Sequence, residues 1–234
     1  MIKRVFFFLG ILTIGLPGCF EPGENIQNIP EIAAIVGFDY DMLQPVLIIP
    51  GGEVLAPELT NKEGINYGDA VIAAFIINHD RQPFPGYLVA SELEVFKINK
   101  TWPQGTPGGV SAAGDFNDII TDMAIYSAVE HGNDEIVFFC YFVHTAPPDH
   151  IFEYELTYDT EDDSDMPSVY IRAKISGQST TSPALNVILH AFDMTYLYTM
   201  FKQSGKSHYR IMYNAGGQDG EESFKFWNDI LPVP

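Results

Sequence analysis

Carboxylates alternate through the stretch Asp159-Thr160-Glu161-Asp162-Asp163-Ser164-Asp165, and such alternation is one way a loop presents oxygens to a hard cation. A twelve-residue calcium loop also needs glycine at its sixth position and glutamate at its twelfth, where this chain has Ser164 and Tyr170. Asp159, Glu161, Asp163 and Asp165 are therefore read as a solvated hairpin tip, with a cation site as the weaker alternative. His144 and His150 flank a Thr-Ala-Pro-Pro-Asp149 turn, but a zinc centre wants at least three protein ligands at tighter spacing. His79-Asp80 has the types of an oriented general base, yet the chain offers neither a Gly-x-Ser-x-Gly elbow nor an activated cysteine to serve as its nucleophile. Glu153 and Glu155 share one strand face, whereas a retaining glycosidase needs carboxyls about 5 Å apart across the scissile bond, which one strand does not supply. His131, His190 and His208 stand singly, and Cys140, within Ile-Val-Phe-Phe-Cys-Tyr-Phe-Val-His, reads as a buried, inert thiol. No catalytic residue, cofactor or metal follows from these patterns. The best binding candidates are aromatic: Trp102 in a Gly/Pro-rich stretch, and Phe84 with Tyr87 in Pro-Phe-Pro-Gly-Tyr, whose faces suit sugar rings or a protein groove.

The other cysteine has a different use. Lys3 and Arg4 precede an uncharged apolar run, Val5 to Leu16, which as a helix would reach only about 18 Å and falls short of a bilayer core of roughly 30 Å. The pattern is that of a cleaved signal peptide, residues 1–18. Leu16-Pro17-Gly18-Cys19 resembles a bacterial lipobox, which implies lipidation of Cys19 and anchoring of the mature chain by several acyl groups. The expected location is the outer membrane, lipid-anchored, with the body at the periplasmic face or the cell surface. With 31 acidic and 12 basic residues the chain carries a net charge of −19, and cleavage would remove two of the basic ones. Nucleic acid is excluded as a partner, since phosphate backbones are held by lysine and arginine.

The elements that must position these residues are strands. Residues 19–30 are polar and turn-rich, a tether. Between residues 31 and 99, β-branched and aromatic runs bounded by Gly, Pro, Asn and Asp predict about five short strands, enough for a small closed, OB-like barrel. The alternation slips near Glu94, where a bulge is expected. Residues 100–134 read as a linker or connecting segment, containing the Gly/Pro-rich stretch and then Asp115 to Asp134, which is compatible with a short helix or an edge strand. Residues 135–234 give six strand-like runs, a β-sandwich, with a helix over Met194 to Ser204 stopped by Gly205. The fold class is all-β: a small OB-like barrel followed by a β-sandwich.

This order of parts resembles the NigD-like lipoproteins of Bacteroides-type bacteria. The resemblance is carried by Val46-Leu47-Ile48-Ile49-Pro50-Gly51-Gly52-Glu53-Val54-Leu55, by the Gly68-Asp69 turn into an apolar strand that returns through Gly86-Tyr87, and by the strand, short helix and hairpin from His190 to Trp227. It implies a lipobox, an N-terminal OB-like barrel, a C-terminal sandwich and no defined molecular activity. The expected function is a non-catalytic cell-envelope lipoprotein acting as a binding or assembly module, joined to the membrane by its anchor and to an envelope protein or a glycan by its body. A glycan-binding surface lipoprotein and a metal-dependent or acid/base hydrolase are the alternatives.

Overall fold

A computed structural model describes residues 25–131, 135–216 and 224–232. The leader, Cys19 and the tether up to residue 24 lie outside the described residues. The first half forms one antiparallel sheet from β1 (Ile26–Asp39), β2 (Gln44–Ile49), β3 (Gly52–Leu55), β4 (Ala70–Asn78) and β5 (Ala90–Ile98), in the order β3-β2-β1-β4-β5. The expected closed barrel does not form. The sheet curls until its edges meet in a single parallel bridge, Leu55 to Val89, where the Leu55 N–H donates to the Leu88 carbonyl at 2.9 Å. Its strand order and parallel closing pair are those of a partly open OB-like barrel. The bulge falls at Glu92 and Leu93, two residues before the predicted place, with Glu92 at φ 52°. Both bulged N–H groups donate to the carboxylate of Glu58, at 3.0 and 3.1 Å, so a 3₁₀ turn (Pro57–Asn61) fastens the last strand to the third.

The second half is a sandwich. One sheet has the order β6 (Lys100–Thr101), β12 (Ala184–Asp193), β9 (Glu135–Ala146) and β8 (Asp122–His131). The other runs β14 (Phe224–Pro232), β13 (His208–Asn214), β11 (Ser168–Ser176), β10 (Ile151–Asp159) and β7 (Pro103–Thr106). All six runs predicted after residue 134 are strands, and the predicted helix is α1 (Thr195–Gln203), closed by Gly205 at φ 70° with the Lys206 N–H returning to the Phe201 carbonyl. Among the described residues no helix is long and apolar enough to cross a membrane.

These parts make three layers, with the β6-β12-β9-β8 sheet in the middle. Alternate side chains of β9 point opposite ways: Ile136, Phe138, Cys140 and Phe142 enter the sandwich core, while Val137 and Phe139 pack with Ala33, Ile35, Val46 and Ile48 of the barrel. A strand buried on both faces reads as a continuous apolar run, which explains Ile-Val-Phe-Phe-Cys-Tyr-Phe. β1 behaves likewise, with Ala33 and Ile35 toward the sandwich and Ala34 and Val36 into the barrel interior.

The segment from 100 to 134 is not a plain connection, and β1 begins inside the expected tether. β6 pairs in parallel with β12, and β7 with β10, so consecutive short strands extend the two facing sheets. The Gly/Pro-rich stretch then lies as a strap over polar side chains on the outer face of the second sheet. Glu155 accepts the Ala112 and Ala113 N–H groups at 3.0 and 3.3 Å, and Thr157 donates to the Gly109 carbonyl at 2.8 Å while accepting from Arg172 at 2.5 Å. Asp115 pairs with Lys174 at the strap's far end.

Gly109 is required by the strap twice over, since its φ is +64° and a Cβ there would sit 2.5 Å from the Tyr170 ring. Gly114 has φ +78° but open space around it. Urea denaturation should show Gly109→Ala destabilised by about 3 kcal/mol, backbone strain and overpacking combined, and Gly114→Ala by only about 1 kcal/mol. Equal losses would mean that the Tyr170 contact is immaterial.

Candidate functional site

Most of the titratable groups singled out in the sequence serve the structure. His144 is buried, with Nδ1 donating to the Ile119 carbonyl at 3.0 Å and Nε2 accepting from the Tyr154 hydroxyl at 2.8 Å, an arrangement that suits the neutral ring. Desolvation lowers its pKa, and burial pushes His190, which shares a 2.8 Å hydrogen bond with Thr101, down to about 4. His79 meets Gln27 at 3.1 Å, and Asp80 accepts the Asn25 N–H at 2.6 Å, so this pair fastens the start of β1. Burial raises the pKa of Cys140 and keeps it a thiol. Glu155 is buried under the strap while Glu153 is exposed, so the two are not a matched pair facing one cleft.

The acidic hairpin tip is stapled from within. Asp159 accepts the Gly108 and Glu161 N–H groups, Asp162 accepts those of Ser164 and Ser168, and the Lys206 ammonium donates to the Asp163 and Ser164 carbonyls at 2.8 and 2.6 Å. Among the described residues no three His, Cys, Asp or Glu side chains converge as metal ligands.

The aromatic candidates separate. Phe84 and Tyr87 are half-buried against the core between barrel and sandwich. Trp102 is 58% exposed and shares a cavity with Tyr67 (63%), which borders a second cavity with Tyr40 (82%); the sequence reading missed both tyrosines. Tyr67 borders three cavities of about 540, 450 and 430 Å³, and the last of these is also lined by Trp102.

Local hydrogen bonding fixes this arrangement. Asp39 accepts the Asp41 and Met42 N–H groups at 2.8 Å each, turning the β1–β2 connection so that Tyr40 projects. The Gly68 N–H donates to the Val36 carbonyl at 2.7 Å and the Val36 N–H to the Asp69 carbonyl at 2.9 Å, which lays the loop before β4 along β1. Phe38 then lies between the two tyrosines, its ring 5.2 Å from Tyr40 and 5.4 Å from Tyr67, both edge-on. The Lys100 ammonium is the central fastening. It lies 5.1 Å from the Trp102 ring centre, donates to the Gly68 carbonyl at 2.7 Å and pairs with Asp193 of the sandwich at 3.5 Å.

The lysines of the cleft are paired: Lys97 with Asp69 at 2.7 Å and Lys100 with Asp193 at 3.5 Å. The lining combines exposed aromatic faces with Asn66, Asn99 and Glu135, so it can stack on an apolar ring face and exchange hydrogen bonds at its edge. A sequence signal was present for Tyr67, an aromatic placed directly before a Gly-Asp turn, where a side chain has little local cover.

The buried histidines make stability depend on pH. For His190 the folded-state pKa, about 4, lies below the ordinary value of 6.5, so the unfolded chain takes up its proton first as pH falls. Stability is thus full above 6.5 and is lost as pH drops toward 4, by about 2–3 kcal/mol for this group. Urea midpoints measured from pH 7.5 to 4.5 should fall, and His190→Gln should flatten that slope; an unchanged slope in the variant would mean that His190 is not the acid-sensitive group.

No protein-family model matches the chain, and no curated protein matches its sequence. Solved structures share its fold. An uncharacterized protein from Parabacteroides merdae ATCC 43184 superposes with a TM-score of 0.71 at 16% identity, over 88% of this chain and 100% of that one. A provisionally named lipoprotein from Bacteroides fragilis NCTC 9343 gives 0.50 at 13%, over 85% and 97%. A NigD-like immunity protein from Bacteroides caccae ATCC 43185 gives 0.44 at 10%, over 88% and 94%, too distant a superposition to carry an argument. What the Parabacteroides merdae protein shares with this chain is the fold, over most of this chain's length.

Proposed function

We propose that the protein is a non-catalytic, lipid-anchored protein of the cell envelope that holds a neutral saccharide in the aromatic cleft of its barrel. One observation carries this reading: Tyr40, Tyr67 and Trp102 are exposed around adjoining cavities, on loops that hydrogen bonds and Lys100 hold in place. Large aromatics left uncovered cost apolar exposure, and a bound ring face is what would cover them. Matched lysine and aspartate pairs favour a neutral ligand over a charged one. The strongly shifted titratable groups lie elsewhere, His190 hydrogen-bonded to Thr101 and Cys140 buried in the apolar sandwich core, which supports a binding role over a hydrolytic one. The lipobox at Cys19 supports the anchor and an outer-membrane location, and the lipoprotein description of the Bacteroides fragilis neighbour points the same way.

Screening the purified protein on a glycan array, with calorimetric titration of each hit, tests the reading. Tyr67→Ala should weaken binding about tenfold, a loss near 1.4 kcal/mol. Phe96→Ala, which removes an equally exposed aromatic of β5 outside the cleft, should leave it unchanged. An empty array, or equal losses in both variants, would overturn the saccharide reading.

A further inference from the structure

Four exposed aliphatic side chains gather at the end of the sandwich away from the aromatic cleft, while Leu43 is exposed beside Tyr40 at the cleft end. The aromatic cleft lies where β9 begins: Glu135 lines a cavity with Gly37 and Phe38, and Asp193, opposite Val137 in the β12–β9 ladder, holds Lys100. The other end of β9 is aliphatic. Leu185 and Val187, 68% and 59% exposed, stand beside Ala146 because Ala184 pairs with Ala146 and Val187 with Val143. Ile151 opens β10 just beyond the turn that follows Ala146, and the Ile119 carbonyl accepts from His144; both isoleucines are exposed. β9 has 12 residues, so the two ends are separated by roughly 36 Å.

The course of β1 directs the start of the chain toward the aliphatic end. Across the interface between layers, Gly37 and Phe38 of β1 lie by Glu135, and Glu31 reaches the Tyr141 hydroxyl at 3.5 Å, so β1 runs antiparallel to β9. Continued backward, β1 brings Ile26 and Asn25 toward the level of Ala146. Six residue steps separate Asn25 from Cys19, at most about 21 Å at full stretch.

We propose that the aliphatic rim of Ile119, Ile151, Leu185 and Val187 rests on the surface of the bilayer that holds the lipid anchor, so that the aromatic cleft is presented away from the membrane. This rests on the reading of Cys19 as lipidated. An acyl anchor with so short a leash confines the near end of the body to the membrane surface, and exposed aliphatic area there gains by entering the headgroup region. Asp122 and Asp149 stand at the same end, so zwitterionic headgroups suit this surface better than anionic ones, and added salt does not weaken the contact.

The lipidated full-length protein, purified from membranes and placed in phosphatidylcholine vesicles, decides the matter. Nitroxide labels are attached at Leu185→Cys in one sample and Tyr67→Cys in another, Cys140 being buried and inert. Each label's exposure to oxygen is compared with its exposure to a water-soluble nickel chelate, and mass spectrometry establishes whether Cys19 carries lipid. The expected result is lipidated Cys19 and an oxygen-to-nickel ratio several-fold higher at Leu185 than at Tyr67. Equal, aqueous ratios with Cys19 lipidated would overturn the docking surface and leave the anchor standing. An unmodified Cys19 would overturn the anchor and the docking with it. Spin–spin broadening at Leu185 without lipid exposure would overturn it in favour of a second copy of the chain.

Discussion

β9 belongs to two cores at once, and the rest of the structure follows from that constraint. Ile136, Phe138, Cys140 and Phe142 are needed by the sandwich, and Val137 and Phe139 by the contact with the barrel. At roughly 25 cal/mol per Å² of buried apolar surface, side chains of this size contribute a few kcal/mol each, so neither face can be surrendered cheaply. A polar residue on either face would need its own partner. Where one occurs, as at His144, the ring is held at both nitrogens and kept neutral. The barrel is therefore a layer of the same body, which is why a cleft can be assembled from Tyr67 of one half, Lys100 of the junction and Glu135 and Asp193 of the other.

The junction does more than connect. A chain leaving the barrel at Ile98 must reach two facing sheets, and it does so by giving two residues to the middle sheet as β6 and four to the outer sheet as β7. The strap that follows then covers Glu155, Thr157 and Arg172, which would otherwise make a polar face open to water. Glycine and proline are abundant here because the segment must bend closely over side chains and offer backbone groups to them, as Gly109, Ala112 and Ala113 do. The same composition, taken from sequence alone, is indistinguishable from that of a loose linker.

That ambiguity marks the boundary of what was legible. Elements with strong local signals were readable: the six sandwich runs, the helix ended by Gly205 and, to within two residues, the slip of alternation expected near Glu94. β8 resisted because a bulge between Ile125 and Ser127 changes its parity, so Met123 and Ile125 face the sandwich core while Val129 faces the barrel. No single period fits such a strand. The closed barrel was over-read, because five strands signal a curled sheet but the closing contact here is one bridge, set by long-range geometry. Among the exposed aromatics, the exposure of Trp102 was readable from its Gly/Pro-rich stretch, whereas that of Tyr40 and Tyr67 depends on two turns brought alongside each other by the β1–β4 pairing. Phe84 and Tyr87 look equally exposed in sequence, since nothing local shows that their hairpin folds onto the interface between layers.

Charge adds a last constraint on the cleft. The chain carries 31 acidic against 12 basic residues, so the field around it is negative and repels anions before contact. Three of its lysines nevertheless border the Tyr67 cavities, and each is engaged: Lys62 with the Leu93 carbonyl, Lys97 with Asp69, Lys100 with Gly68 and Asp193. Cations spent on holding loops are poor receptors for a carboxylate or phosphate, because an incoming anion would have to break a pair already made. What remains free to recognise a ligand is aromatic surface together with amide and carboxylate edges. That set is what the proposed neutral saccharide would require, and the negative charge of the surface as a whole disfavours acidic polymers.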